Sequence, residues 1–304
     1  MDIRPSQRIS KLLIEFTNKR VFLAGGLGNQ LFQYAFAHFL TKFISNRPSL
    51  INLNTRGGLP HTKQILEIGW FGCSHCLQTR NLGSESLNSF INPWLDRALL
   101  TFVWGRTLNL KSNPFIYFDQ TNSLENYSNF VGYFQNKDYI LASEHLFMTE
   151  IRQFISESMP SIQYLPTEFE VIHIRQGDTK TAENIERVGV LSTSYYQSIL
   201  TKQSELFRLV VTDDLRGAQE TLANSKIDMW LGPNDLTARE ALALMSGANR
   251  LITANSTLSW WSGFIAVKDE REVIVPTPFF KSKELQAGAA FHYPDFKLQE
   301  SKFI

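Results

Sequence analysis

Apolar residues fall in short runs that alternate with longer amphipathic stretches along most of the chain. The run Val21-Phe22-Leu23-Ala24 reads as a buried strand. It leads straight into Gly25-Gly26-Leu27-Gly28-Asn29-Gln30, and Leu31 to Phe43, rich in Ala, Leu and Phe, predicts a helix. Strand, Gly-rich turn and helix in this order open a Rossmann-like unit. Ser49 to Asn52 fits the next strand. Residues 56 to 128 mix Asn, Ser and Gly with aromatic runs and predict irregular structure with short helices. Phe130 to Gln135 predicts a strand and Glu144 to Ser158 a helix, and Pro160 and Pro166 bracket a linker.

The second half is more regular. Strands are predicted at Phe169 to Ile174, Phe207 to Val211, Leu251 to Ala254 and Val273 to Val275. Helices are predicted at Tyr195 to Gln203, at Leu236 to Met245 with Asn234 or Asp235 as cap, and at Ser256 to Val267. This alternation predicts an α/β protein with parallel sheets covered on both faces. The expected organisation is two Rossmann-like domains, 1–160 and 161–304, facing across a cleft. Ligands would then lie at the carboxyl ends of the strands.

Composition supports that size. A chain of 304 residues with 43% hydrophobic and 19% charged residues can fill two cores of about 150 residues each. The net charge of +1 argues against a general nucleic-acid binder but leaves room for a local basic pocket that takes a diphosphate. Cys73 and Cys76, with His75 between them, are too few ligands for a structural zinc and read as reduced thiols. No apolar run is long enough to span a bilayer, and the segment from Met1 to Arg4 has no signal-peptide core. The expectation is a cytoplasmic protein, with peripheral association at a membrane surface still open to it.

Four segments carry chemistry, each with a plainer structural alternative. Gly26-Leu27-Gly28 resembles the start of a dinucleotide-binding turn, and Gly28 is a candidate on the nucleotide side. The third glycine position is Leu31, however, and the second strand ends in Asn52-Leu53-Asn54 without the ribose-binding acid, which disfavours a nicotinamide enzyme. Asn29 and Gln30 place amides at a helix start, able to bond sugar hydroxyls or a leaving phosphate; the alternative is a packing turn. In His173-Ile174-Arg175-Gln176-Gly177-Asp178, strand alternation puts His173 and Arg175 on one side. The Arg175 fork suits a diphosphate, and Asp178 could hold it or accept a proton; the alternative is a surface ion pair beside a satisfied histidine.

Thr212-Asp213-Asp214 offers carboxylates to a guanine or ribose edge, or is a turn and helix cap. Its acids are adjacent, so in an extended chain they face opposite ways and do not form a metal-binding Asp-x-Asp. Asn255-Ser256-Thr257 opens a helix after a strand and would form a phosphate site, or an ordinary cap. The tandem Trp260-Trp261 reads as core packing rather than a sugar platform.

Taken together, residues 25–35, Gly-Tyr-Phe-Gln at 132–135, 173–178, 212–214 and 254–261 come in the order seen in α-1,2-fucosyltransferases. The chain resembles glycosyltransferase family 11, with residues 45 to 128 matching poorly. The resemblance implies a GT-B fold, GDP-β-L-fucose as donor, a β-galactoside glycan as acceptor, inversion at the anomeric carbon, and no metal ion or other cofactor. It implies that Arg175 steadies the β-phosphate and that Asn29 lies near the reacting centre. It places Asp213, Ser256 and Thr257 among the nucleotide contacts, with His173, Asp214 and Asn255 as neighbouring candidates. Asp178 and Glu183, with His173 behind them, are candidates for the base. Many relatives carry a second arginine where this chain has Gln176, which puts phosphate binding at that position in doubt. Another nucleotide-sugar transferase of this fold, or a non-catalytic sugar-binding protein, would share these features.

Overall fold

The computed structural model describes residues 19–23, 25–42, 48–52, 78–81, 107–109, 124, 127–177, 180–200, 205–288 and 290–304. The chain divides into two compact units, Met1–Glu150 and Ile151–Ile304. The division falls at 150/151 rather than 160/161, because most of the helix Met148–Glu157 packs with the C-terminal unit. Phe154 lies 5.6 Å beneath the Arg239 guanidinium, and Arg152 pairs with Asp269 at 2.8 Å.

In the N-terminal unit the described strands are β1 (Arg20–Leu23), β2 (Ser49–Asn52), β3 (Gln78–Asn81), β4 (Thr107–Asn109) and β5 (Asn129–Val131). They form one parallel sheet in the order β3-β2-β1-β5-β4. β3 and β4 lie where irregular structure was expected. Their sequences, Gln-Thr-Arg-Asn and Thr-Leu-Asn, hold a single apolar residue, so no hydrophobic pattern marks them. Helix α1 (Leu27–Leu40) begins four residues before the expected Leu31. Extended Gly26 precedes the first turn, and the Gln30 amide donates back to the Gly25 carbonyl at 2.9 Å. Every residue of α1 except Asn29 is buried. The helix expected at 144–158 starts late: Glu144–Leu146 form a 3-10 turn and α3 (Met148–Glu157) follows, while α2 (Lys137–Ser143), capped by the Asn136 side chain on the Asp138 N–H, precedes it where no helix was expected.

The C-terminal unit holds β6 (Phe169–Ile174), β7 (Phe207–Thr212), β8 (Met229–Leu231), β9 (Arg250–Ile252), β10 (Glu272–Thr277) and β11 (Lys297–Glu300). The described strands form a parallel sheet in the order β11-β10-β9-β6-β7-β8, the doubly wound Rossmann arrangement. Its helices are α4 (Ala182–Arg187), α5 (Thr193–Leu200), α6 (Leu215–Thr221), α7 (Ala238–Gly247), α8 (Thr257–Lys268) and α9 (Lys283–Gly288). Of these, α4, α6, α9, β8 and β11 have six or seven residues or fewer, too short for their periodicity to show in sequence. Ile172, Ile174, Tyr195, Tyr196, Val210 and Leu222 belong to one core cluster. Trp260 and Trp261 are both buried, as expected of core residues; Trp260 stacks on Phe264 and donates its ring N–H to the Phe291 carbonyl. Helix α7 is capped by Thr237, which forms a reciprocal capping box with Glu240. The expected cap, Asp235, instead accepts the Gly232 N–H at 2.7 Å.

A row of charges crosses this sheet at the amino ends of its strands. The register sets Glu170 beside both Arg208 and Arg250, and Arg250 beside Glu272. Glu170 is wholly buried; one carboxylate oxygen accepts from Arg208 Nε and the other from Arg250 Nη1 at 3.0 Å. Glu272 continues the row, 3.5 Å from Arg250 Nε and 2.9 Å from Lys297 Nζ.

Candidate active site

Each unit places its first strand at a topological switch point. In the C-terminal sheet β6 lies between β7 and β9, and the chain leaves β6 toward β7 and leaves β9 toward β10. The loops after β6 and β9 therefore diverge and open a crevice at their carboxyl ends, where ligands of such sheets bind. In the N-terminal sheet β1 lies between β2 and β5 in the same sense. The described loop residues at these two switch points are 175–177 and 180–181 with 253–256, and 25–26 with 132–136. Four of the five segments singled out in the sequence overlap them, and the fifth, 212–214, lies at the end of β7.

Arg175 is the first residue beyond β6 and is one-third exposed. Its Nε lies 3.9 Å from Asp213 Oδ2, while Asp213 Oδ1 accepts the Gln176 N–H at 2.8 Å. One carboxylate thus faces both the arginine and the loop that carries it. Gly177 lets the loop pass close to this carboxylate: a Cβ at 177 would stand 2.9 Å from Asp213 Oδ2, so any side chain there would have to displace it. Gln176 turns inward, and its amide donates to Thr221 Oγ1 at 2.9 Å within α6. Position 176 is therefore a structural tie between loop and helix. Asp214 faces away from Asp213: it caps α6 through the Gly217 N–H and pairs with Lys180. The Lys180 hydrogen bond, then the Gly217 N–H, hold its carboxyl below the usual range. The plainer reading of Asp214, a helix cap, describes the bonds it makes.

His173, two residues before Arg175, is buried, and its Nδ1 has no hydrogen-bond partner among the described residues. Burial first, and the Arg175 charge second, lower its pKa to about 3. The imidazole is therefore neutral at neutral pH. In the unfolded chain it protonates near 6.5. Between the two values the unfolded state binds the extra proton, so the stability this neutral ring confers is full above about 6.5 and is lost as pH falls toward 3. His38, buried on α1 with a pKa lowered by burial to about 4, acts in the same direction. In urea titrations from pH 7.5 to pH 4.5, His173→Gln is expected to flatten the acid-side fall in stability relative to the parent chain. Parallel curves would show that His173 does not titrate on unfolding.

Beyond β9, Asn255 donates to the Val188 and Gly189 carbonyls at 3.1 and 2.9 Å. Both amide hydrogens are committed to the turn after α4, so the Asn255 amide does not donate to a phosphate; it fixes the loop. Ser256 stands at the cap position of α8 in extended conformation but makes no side-chain cap bond. An ordinary serine cap would accept from the first-turn N–H groups. Here the α8 start, with Thr257 as its first residue and no acidic side chain in its first turn, keeps the arrangement that receives an anion.

In the N-terminal unit Gly28 is buried at the second position of α1, and Asn29 follows it. Gln30, like Asn29 a candidate for sugar contacts, turns back to the Gly25 carbonyl and closes the turn. Asn29 Oδ1 accepts from Gln135 Nε2 at 2.7 Å.

The profile described as Glycosyl transferase family 11 matches residues 85–293, more than two thirds of the chain. The chain belongs to glycosyltransferase family 11. It is an enzyme of the glycosyltransferase class, and its two Rossmann-like units are those of the GT-B fold. It is 28% identical over 280 residues to an alpha-1,2-colitosyltransferase of Escherichia coli, covering 87% of this chain and 93% of that protein. It is 25% identical over 293 residues to the O-antigen biosynthesis glycosyltransferase WbnK of Escherichia coli, covering 85% of this chain and 93% of that one. Among solved structures, E. coli heptosyltransferase WaaC with ADP matches at a TM-score of 0.51 with 9% identity, covering 93% of each chain, a likeness of fold alone.

For this family 11 glycosyltransferase, the remaining candidates fall away from these ties. Glu183 lies on α4, 74% exposed on its side chain, in an i,i+4 pair with Arg187 at 2.9 Å. Asp178, Cys73, His75 and Cys76 lie outside the described residues. Among the described residues, no group of three or more His, Cys, Asp or Glu side chains is gathered as a metal site would need, and no helix is long and apolar enough to cross a membrane. Sequence reading missed Gln135, Tyr196 and Thr221. Tyr196 donates to the His173 carbonyl at 3.2 Å, and burial followed by the Asp213 charge raises its pKa. The one available signal was Gln135 itself, noted within Gly-Tyr-Phe-Gln but given no role.

Proposed function

We propose that this glycosyltransferase moves L-fucose from GDP-β-L-fucose to the 2-hydroxyl of a β-galactoside glycan, inverting the anomeric carbon without a metal ion. The observation that carries the reading is Arg175, a half-buried guanidinium at the carboxyl end of β6, backed by Asp213. In this reading the C-terminal unit takes the donor and the N-terminal unit the acceptor. Arg175 and the α8 start at Ser256-Thr257 hold the diphosphate, and the neutral ring of His173 and the acid Asp213 serve the nucleotide side.

The acceptor hydroxyl attacks the anomeric carbon as the bond to the β-phosphate oxygen breaks. The bonding electrons leave with GDP, and the hydroxyl proton passes to a base. The sugar carries oxocarbenium character at the transition state, so the main task is to stabilise the departing phosphate. Asn29 donates a hydrogen bond to the reacting sugar. The proton goes to one of the two candidate carboxylates, Asp178 or Glu183. His173, with a conjugate acid near 3, is too weak a base at neutral pH.

A second donor is favoured by the colitosyltransferase relative. Colitose is fucose without its 3-hydroxyl. A site that hydrogen-bonds this hydroxyl would reject the deoxy sugar by about 10⁴-fold, whereas a site without such a contact would take both. The test is turnover of GDP-fucose and GDP-colitose on β-galactosides, with the product linkage read by NMR. Fucose at the galactose 2-position, at a rate unchanged in excess EDTA, is expected. A strong preference for GDP-colitose would reassign the sugar, turnover of neither would sink the reading, and loss of activity in EDTA would contradict the metal-free step.

A further inference from the structure

We propose that Gln135 is a positioning residue that fixes the polarity of Asn29, so that Asn29 meets the substrate as a hydrogen-bond donor. The inference rests on the reading above that Asn29 touches the reacting sugar. A carboxamide presents an acceptor on one side and two donors on the other, and near-equal shape lets it turn over at little steric cost. What decides its direction is its partner. Here the Gln135 amide donates to Asn29 Oδ1 at 2.7 Å, so the Asn29 NH₂ group is on the side away from Gln135.

Three features show that this side is built. Asn29 alone keeps exposure on a helix whose other residues are all buried. The space beside its NH₂ group is opened by Gly25, which has a φ of +79°. A Cβ at 25 would stand 2.5 Å from Asn29 Nδ2, so only glycine serves there. Gln135 is itself buried and cannot drift. Before it, Phe134 is held at a φ of +51°, a left-handed conformation that a non-glycine residue rarely adopts. The Phe134 ring is locked by a parallel stack on Phe36 at 3.9 Å. After Gln135, Asn136 caps α2, and Gln33 holds the Gly132 carbonyl at 2.8 Å. The loop that delivers Gln135 is thus pinned on both sides, and the amide it delivers donates to Asn29.

The test compares two replacements in the full chain. Gln135→Glu keeps the shape but offers an acceptor, so Asn29 turns over, gives its NH₂ group to the new carboxylate, and shows its oxygen to the substrate. Gln135→Ala removes the bond and leaves Asn29 free to adopt either direction. A positioning role predicts that Gln135→Glu is the more damaging, lowering kcat by about 100-fold, the usual loss of one transition-state donor, with Gln135→Ala several-fold milder. A packing role predicts the reverse order, because the glutamate fills the site and the alanine empties it. A protonated carboxyl donates again, so the Gln135→Glu deficit is expected to shrink as pH falls from 8 toward 5. Affinity for GDP, read by calorimetry, stays unchanged in both variants. The comparison uses whichever donor sugar the parent chain turns over, so a wrong donor assignment shows in the parent and not in the ratio. Equal activity of Gln135→Glu and the parent, or an alanine variant worse than the glutamate with a pH-independent deficit, overturns the proposal.

Discussion

Arg175→Ala is expected to lower kcat by about 10³-fold while the protein keeps its fold. Loss of one donor to a developing anion costs about 10²–10³-fold, and a charged, bidentate donor stands at the upper end. The structure gives the reason that the fold survives. Arg175 lies beyond the last residue of β6 and is one-third exposed, and its Asp213 partner keeps a second tie to the Gln176 N–H. Removing the guanidinium therefore leaves no buried charge without a partner. Arg175→Lys should recover little, since an ammonium cannot span two phosphate oxygens as a fork does. Steady-state rates with matched thermal melts check this. Near-parent turnover in Arg175→Ala would remove the residue from phosphate binding, and a collapsed melt would make it structural.

The largest effect on stability is expected at the amino end of the same strand. Glu170→Ala removes the wholly buried carboxylate between Arg208 and Arg250. Arg208 would then lie at the sheet with its ion-pair partner gone, and Arg250 would keep only Glu272. Breaking a buried pair from one side costs about 3–5 kcal/mol. For a unit of this size each kcal/mol shifts the melting midpoint by about 2–4 °C, so a fall of roughly 10 °C or more is expected by calorimetry. Arg208 also donates to the Lys226 carbonyl at 3.2 Å, and Arg250 retains Glu272, so the single replacements Arg208→Met and Arg250→Met should each be milder. A Glu170→Ala variant as stable as its parent would show the charge row to be decorative.

The two predictions separate what the sequence made legible from what it did not. Strands dominated by apolar residues, such as β6 and β7, were readable to within a residue despite Glu170, His173 and Arg208 within them. β3 was not, because Gln-Thr-Arg-Asn has no apolar residue to mark it. The start of α1 was placed late because its first turn is built from Gly28, Asn29 and Gln30, which carry no periodic apolar face. The site segments were found by residue type, and most of them do sit at the two switch points. Their division of labour was hidden. Whether an amide such as Asn255 serves a ligand or a neighbouring carbonyl depends on a turn 66 residues away. Likewise Gln176, read as a missing charge, proves to be the tie to Thr221.

The placement of β1 at the centre of its sheet has a consequence for biogenesis. Arg20 at its start bonds Asn129, 109 residues later, on the neighbouring strand β5. At a synthesis rate of about 5–20 residues per second, β1 and the apolar helix after it wait roughly 5–20 seconds for that partner to leave the ribosome. β6, by contrast, meets Arg208 of β7 only 38 residues on. During translation β1 therefore stays unpaired on its β5 side for longer than β6 does on its β7 side.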